Sequence, residues 1–149
     1  MLSSEFETYF QKIPQVLQSF DGTFSIDNFP KKLKYRHFFI CNMSKSSEVG
    51  SHWITFIKSE KSKIEIFDSL GTKIDSLKPY LKFNGNPEYI FNDAPFQLST
   101  STTCGYFAIM FIIERCFNFD LKYKLLLAEI FSSDLEINEK TVVEFCNEL

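Results

Sequence analysis

The stretch QLSTSTTCGYFAIMFII, residues 97–113, decides the fold because it changes from a polar loop to an apolar segment at a single cysteine. The apolar run continues to Phe117, which makes it longer than a normal β-strand. Serine and threonine residues lie just upstream, where they can cap the first turn of a helix. We therefore predict a buried helix that starts near Cys104.

A cysteine at the start of a helix is placed for thiol chemistry. The sulfur of Cys104 would feel the positive end of the helix macrodipole and unpaired backbone N–H groups, and both lower the pKa of a thiol. Gly105 offers little obstruction to an approaching peptide, and the backbone N–H of Cys104 can point at a developing oxyanion. Gln97 can donate a second hydrogen bond to that oxyanion if its loop folds back beside the sulfur. The alternative is that Cys104 is a small buried apolar residue, like most free cysteines.

A histidine and an aspartate stand at the ends of a predicted β-hairpin. Antiparallel partners have position numbers with a constant sum, and a sum of 120 pairs Ile54 with Ile66 on an apolar face. This register sets His52 opposite Asp68, with Cβ atoms roughly 4.5 to 5.5 Å apart. The carboxylate would then fix the histidine tautomer and stabilise the imidazolium. An ordinary cross-strand pair remains the alternative, and a bulge would undo the argument.

The whole pattern predicts an α+β fold, with a central mixed or antiparallel sheet flanked by helices, in one domain over residues 1–149. Ser4 and Glu7 suggest a capping box for the first helix, and Pro14 should break that helix or start a second turn. The segment FDGTFSIDNFPKK, residues 20–32, is rich in turn formers and is interpreted as an ordered connector. The predicted strands cover residues 36–43, 52–58, 63–68 and 88–93, and the predicted helices cover residues 2–20, 104–117, 120–131 and 137–149.

Composition narrows the range of partners. The net charge is −3, and the lysines are scattered, so nucleic acid is not an obvious partner. There is no apolar run of membrane-spanning length and no signal peptide, which predicts an intracellular protein without a membrane partner. With no CxxC pair and 2 histidines, a zinc site is not expected. His37 has no acidic residue downstream in its neighbourhood and is interpreted as a structural histidine. The cysteines interpreted as structural are Cys41, Cys116 and Cys146.

The order of the motifs GSHW, IEIFDSLG and QLSTSTTCGYF resembles the adenovirus protease family and, more distantly, the ubiquitin-like-protein proteases that share its fold. The seven-residue step from Gln97 to Cys104 and the segment FDGTF, residues 20–24, resemble the adenoviral pattern in particular. The resemblance covers about two-thirds of the chain, and several ordered motifs are more specific than any single one. The matching positions are His52, Trp53, Asp68, Gly71, Gln97, Cys104 and Gly105.

The resemblance implies a cysteine endopeptidase with a papain-like fold. It implies that Cys104 is the nucleophile, that His52 is the base, that Asp68 orients this base and that Gln97 belongs to the oxyanion hole. It also implies that Trp53 lies beside a narrow entry channel for a polypeptide substrate, such as a virion or virus-like precursor protein cut near small residues. The other residues expected to contact substrate are Gly50, Ser51 and Gly105.

Three departures from the adenoviral pattern limit what is carried over. Asp68 stands where the adenoviral enzymes have glutamate and the ubiquitin-like-protein branch has aspartate. No cysteine lies between Cys41 and Cys104 that could hold an activating peptide by a disulfide, so any activating peptide would bind without one. The acidic chain also predicts no DNA requirement.

We expect a monomer without a cofactor, located in the host cytoplasm or nucleus or packaged in virions. Two other functions stay open on the sequence. One is an isopeptidase that removes ubiquitin or a ubiquitin-like protein, and the other is a binding module without turnover.

Overall fold

A computed structural model describes residues 1–44 and 52–149, and the described residues form six α-helices and five β-strands. The strands are β1 Phe20–Ser25, β2 Phe38–Asn42, β3 Trp53–Glu60, β4 Lys63–Phe67 and β5 Glu88–Phe91. The helices are α1 Ser3–Phe10, α2 Pro14–Leu17, α3 Ile74–Leu77, α4 Cys104–Cys116, α5 Tyr123–Ile130 and α6 Leu135–Asn147, with a 3-10 turn at Lys78–Tyr80 after α3.

The strands form one mixed sheet in the order β1-β2-β3-β4-β5. The three central strands are antiparallel neighbours, whereas β1 runs parallel to β2 and β5 runs parallel to β4. The α+β class with a central mixed sheet therefore agrees with the sequence prediction. Both parallel strands lie at the edges of the sheet.

Aromatic clusters cover both faces of this sheet. On the face covered by α4, Phe67 stacks on Phe111 with ring centroids 4.4 Å apart. On the opposite face, Phe39 stacks on Phe56 at 5.1 Å. Because successive strand side chains point to opposite faces, β3 contributes apolar residues to both clusters. The second face is covered by residues 26–33 and 74–83 rather than by long helices.

The segment interpreted as a connector is partly a strand, so that prediction was wrong. β1 pairs with β2, and the pairing shifts between Phe20 and Thr23. Two of the four turn formers that suggested a connector, Asp21 and Gly22, lie at this irregularity, and Gly22 has a φ of 115°. A bulge of this kind places turn-type residues inside a strand, and the parallel partner is distant in sequence.

The N-terminal helical region is two helices, and α2 begins at Pro14 as the sequence suggested. The capping box of Ser4 and Glu7 was wrong. The N-cap is Leu2, two residues before Ser4, so helix α1 begins at Ser3, and the carboxylate of Glu5 accepts a hydrogen bond from the backbone N–H of Leu2. The predicted helices α4, α5 and α6 are present, with ends shifted by a few residues.

Candidate active site

The β3–β4 hairpin has a different register from the predicted one. Phe56 pairs with Ile66, so partner numbers sum to 122 rather than 120, and the turn lies at residues 61–62. The pairing shifts again between Ile57 and Glu60. A slip of two residues leaves every side chain on its original face, so apolar matching could not distinguish the two registers. The prediction of the register was therefore wrong, while the assignment of faces was right.

His52 and Asp68 nevertheless meet, with Nε2 of the histidine 2.7 Å from Oδ1 of the aspartate. His52 directly precedes β3 and Asp68 directly follows β4, so both lie at the open end of the hairpin. In the observed register they are diagonal neighbours, a separation that long side chains can bridge. The backbone N–H of Leu70 also donates to Oδ1 of Asp68, at 2.9 Å. The carboxylate is thus held in place from a second side.

Cys104 is the first residue of α4, where the sequence placed the start of the helix. Burial alone raises the pKa of its thiol. Other groups outweigh the effect of burial and lower the pKa below its ordinary value. They are the hydrogen bond from His52, the backbone N–H of Trp53, the charge of His52 and the backbone N–H of Gly105. The surroundings of the sulfur therefore favour a thiolate.

His52 lies between the carboxylate and the thiol. Burial lowers its pKa, but hydrogen bonds to Asp68 and Cys104, together with the charges of these two groups, raise the pKa to about 9. Because Nε2 faces Asp68, Nδ1 is the ring nitrogen left for the sulfur. His52 is therefore an imidazolium at neutral pH, and its charge is one of the effects that lower the pKa of Cys104.

The three other cysteines behave differently. Burial raises the pKa of each of them to about 12. All four thiols are free and buried. The thiols with raised pKa belong to Cys41, Cys116 and Cys146.

Gln97 contacts Ser69, the residue next to Asp68, and donates its amide hydrogens to Ser101. Its backbone N–H donates to the carbonyl of Ser69, the residue after Asp68, and its Oε1 accepts a hydrogen bond from the Ser69 hydroxyl at 2.5 Å. Its Nε2 donates to the backbone carbonyl of Ser101 at 3.1 Å and to the Ser101 hydroxyl at 3.4 Å. The oxyanion role of Gln97 stays a prediction.

Two of the expected substrate contacts touch the N-terminal residue. The indole Nε1 of Trp53 donates to the carbonyl of Met1 at 3.1 Å. A Cβ added to Gly105 would lie 2.7 Å from the sulfur of Met1, so a side chain at this position needs Met1 to move. Met1 therefore contacts both residues whose backbone N–H groups face the Cys104 sulfur. The two other expected contacts, Gly50 and Ser51, lie outside the described residues.

Asn92 is a residue of this site that the sequence did not reveal. Its Nδ2 donates to the carbonyl of Asp68 at 2.7 Å, and its Oδ1 accepts from the Asp68 backbone N–H at 3.1 Å. Pairing of Ile66 with Phe91 across β4 and β5 brings Asn92 to this place. The nearest signal was a polar residue near the end of the predicted strand 88–93, but the partner of that strand could not be determined from the sequence.

Gly71 is required by the turn that follows Asp68. It has a φ of 90°, and a Cβ there would lie 2.6 Å from the carbonyl oxygen of Asp93. Its backbone N–H donates to the carbonyl of Asp68 at 2.9 Å. Only glycine fits this left-handed position beside a second backbone.

His37 has an acidic partner that lies upstream of it in the sequence, not downstream. Its Nδ1 lies 2.8 Å from Oδ1 of Asp21, on β1.

Among the described residues, no group of three histidine, cysteine, aspartate or glutamate side chains is arranged to hold a metal. Within the same residues, no helix is both long and apolar enough to cross a membrane.

Comparisons with known proteins give matches among solved structures. No protein family model and no curated protein matches this chain. Among solved structures it is similar to the ASFV pS273R protease, with a TM-score of 0.43 and 21% identity, over 70% of this chain and 43% of the protease. It is also similar to the central domain of the uncharacterized Lpg1148 protein from Legionella pneumophila, with a TM-score of 0.45 and 10% identity, over 87% of each chain.

This chain therefore spans less than half the length of the ASFV protease. Both likenesses are too distant to carry an argument about activity, which depends on the geometry of the site.

Proposed function

We propose that this chain is a cysteine peptidase in which Cys104 is the nucleophile, His52 the general base and acid, and Asp68 the residue that orients His52. One observation carries the proposal. Of the four cysteines, Cys104 is the one whose pKa is lowered, and the groups that lower it are those that a thiol hydrolase needs. The carboxylate on the far side of His52 supports the same assignment.

The reaction follows from the positions of these groups. The thiolate of Cys104 attacks the carbonyl carbon of a peptide bond, the C–S bond forms, and the π electrons move to the oxygen. When the tetrahedral intermediate collapses, the C–N bond breaks and His52 gives its proton to the leaving amine. Water then gives a proton to His52 and attacks the thioester, which releases the acid and restores the thiolate.

Two groups are proposed to stabilise the oxyanion. As the first residue of α4, Cys104 has a backbone N–H without an acceptor inside the helix. Gln97 would provide the second donor by turning its Nε2 away from the Ser101 hydroxyl, which is the longer of its two contacts at 3.4 Å. The Ser101 carbonyl would keep the other hydrogen.

The finer assignments rest on the motifs in the sequence. We propose the adenain-like fold and a polypeptide substrate of a virus or virus-like element, cut near small residues. The absence of a DNA requirement, an activating peptide without a disulfide, the monomeric state and the intracellular location stay predictions.

Alkylation with iodoacetamide, followed residue by residue by mass spectrometry, tests the proposal. At about pH 6 an ordinary thiol with a pKa of about 8.5 is almost fully protonated. We expect Cys104 to be alkylated at this pH and the three other cysteines to remain unmodified. In His52→Ala, alkylation of Cys104 should require a higher pH. Equal reactivity of all four cysteines in the wild type would contradict the proposal.

A further inference from the structure

The side chain of Glu139, on α6, holds the loop that leads into α4. Its Oε2 accepts a hydrogen bond from the backbone N–H of Leu98 at 3.0 Å. Its Oε1 accepts from the hydroxyl of Ser101 at 2.6 Å and from the hydroxyl of Thr103 at 2.5 Å. Three donors from one loop thus converge on a single carboxylate, and hydrogen bonds to an ionised acceptor are stronger than neutral ones.

Ser101 connects Glu139 to Gln97, because it has hydrogen bonds with both residues. The Ser101 hydroxyl lies 2.6 Å from Oε1 of Glu139 and 2.5 Å from the Thr103 hydroxyl, so it is fixed between these two groups. Because the amide nitrogen of Gln97 can only donate, the hydroxyl oxygen and the backbone carbonyl of Ser101 are both acceptors toward its Nε2. Ser69 donates to Oε1 of the same amide, so the two acceptors of Ser101 set the direction of the amide hydrogens. Glu139 contacts the Ser101 hydroxyl and thereby helps to orient Ser101.

The same carboxylate also acts at the start of α4. Thr103 is the residue directly before Cys104 and occupies the N-cap position of the helix. Its hydroxyl is held by Glu139, so the backbone at the candidate nucleophile is anchored to α6. One side chain thereby connects the two places from which oxyanion donors would come.

Helix α6 does not need Glu139 for its own stability. Asp134 caps its first turn by accepting from the backbone N–H groups of Glu136 and Ile137. The buried side chains of Val142 and Cys146 pack the helix into the core. The contacts of Glu139 therefore serve the loop rather than the helix.

We propose that Glu139 is a positioning residue that sets the direction of the Gln97 amide and the backbone at Cys104 for oxyanion binding. This inference rests on the proposed peptidase function. It predicts that neutralising Glu139 weakens the binding of an oxyanion without changing the reactivity of the thiolate, because the contacts of Glu139 are with the loop and not with His52.

The test uses the two reactions of Cys104 that differ in their need for an oxyanion hole. Iodoacetamide alkylation needs only the thiolate. The thiolate adds to the carbonyl carbon of a glycine-derived peptide aldehyde. The C–S bond forms, the π electrons move to the oxygen in the hole, and this oxygen takes up the proton of the His52 imidazolium. The affinity of the aldehyde is measured as protection of Cys104 from alkylation. The variants are Glu139→Gln, Thr103→Val, which removes only the hydroxyl that donates to Glu139, and the control Glu144→Gln, an exposed glutamate on the same helix.

For both Glu139→Gln and Thr103→Val we expect aldehyde binding to weaken about tenfold or more, since small displacements of aligned groups have large effects. Alkylation of Cys104 should stay within about twofold of the wild type, as should both reactions in Glu144→Gln. Equal losses in alkylation and aldehyde binding, or no loss in either, would overturn the role of Glu139. If Glu139→Gln does not fold, Thr103→Val decides the question because it keeps the carboxylate. A wild-type Cys104 that is no more reactive than the other cysteines would instead refute the peptidase proposal.

Discussion

Cys104 and Cys116 are the first and last residues of α4, and each is 8% exposed. Burial raises the pKa of the Cys116 thiol to about 12, and attraction to Arg115 offsets little of this effect. At Cys104 burial acts in the same direction, but His52 and two backbone N–H groups reverse the result. The helix macrodipole adds to the difference, because it favours negative charge at the N-terminus only. Thiol reactivity here is therefore set by neighbouring groups and not by exposure.

The substitution Asp68→Asn should separate the orienting carboxylate from the rest of the site. Without the negative charge, the pKa of His52 falls and the thiolate of Cys104 loses its imidazolium partner. We expect the alkylation rate of Cys104 at about pH 6 to drop about tenfold or more. The measurement is the initial rate of iodoacetamide incorporation at this residue.

The second histidine–aspartate pair provides the matched control. Asp21→Asn removes the partner of His37 and leaves the surroundings of Cys104 untouched. Its alkylation rate should equal that of the wild type. If Asp21→Asn and Asp68→Asn had the same effect on Cys104, the orienting role of Asp68 would be excluded.

Helix α4 is fixed to the sheet at the end opposite to Cys104. Glu65 on β4 accepts hydrogen bonds from Nε and Nη2 of Arg115 at 2.9 and 2.6 Å, and both side chains are almost completely buried. Burial raises the pKa of the Glu65 carboxyl, and the bonds to Arg115 counteract that rise. Arg115 also donates to the carbonyls of Asn118 and Leu121, which order the chain beyond the helix. This pair therefore sets the direction in which α4 points.

Arg115→Ala should be strongly destabilising, because it leaves the Glu65 carboxylate buried without a partner. We expect a loss of about 3 to 5 kcal/mol in the free energy of unfolding. Lys78→Ala, which removes an exposed ion pair with Asp75, should change it by less than about 1 kcal/mol. Urea denaturation monitored by circular dichroism measures both, and equal midpoints for the two variants would contradict the assignment.

Elements with their own periodicity could be predicted from the sequence, and elements defined by a distant partner could not. The apolar run after Cys104 exceeds strand length and is α4, and apolar alternation identified β3 and β4. β1 was missed because its bulge contains turn formers and its partner is the parallel strand β2. The hairpin register was missed because a slip of two residues preserves both faces.

At the scale of the whole molecule, the candidate site lies where distant parts of the chain meet. The open end of the β3–β4 hairpin supplies the His52 and Asp68 pair, and the start of α4 supplies the thiol. Motifs in the sequence could nominate these residues because each has a recognisable chemistry and neighbourhood. Asn92 and Glu139 could not be nominated, since they act through contacts with segments far away in sequence. Packing of the sheet on both faces brings these segments together.

Trp53 gives the site an optical reporter, because this chain contains 1 tryptophan. Its backbone N–H faces the sulfur of Cys104. Its ring lies edge-on to Phe6 and donates a hydrogen bond to the carbonyl of Met1. Met1, which accepts the hydrogen bond from the indole, also lies against Gly105, the residue after Cys104. Excitation of tryptophan alone would thus report events at one place in the protein, without a label.

We expect alkylation of Cys104 to change the intensity or wavelength of Trp53 emission with the same time course as the mass increase at that residue. In Cys104→Ala, the same reagent should leave the emission unchanged. A mass increase at Cys104 without any change in emission would contradict this expectation. Substrates could then be screened by a fluorescence titration, before any cleavage product is known.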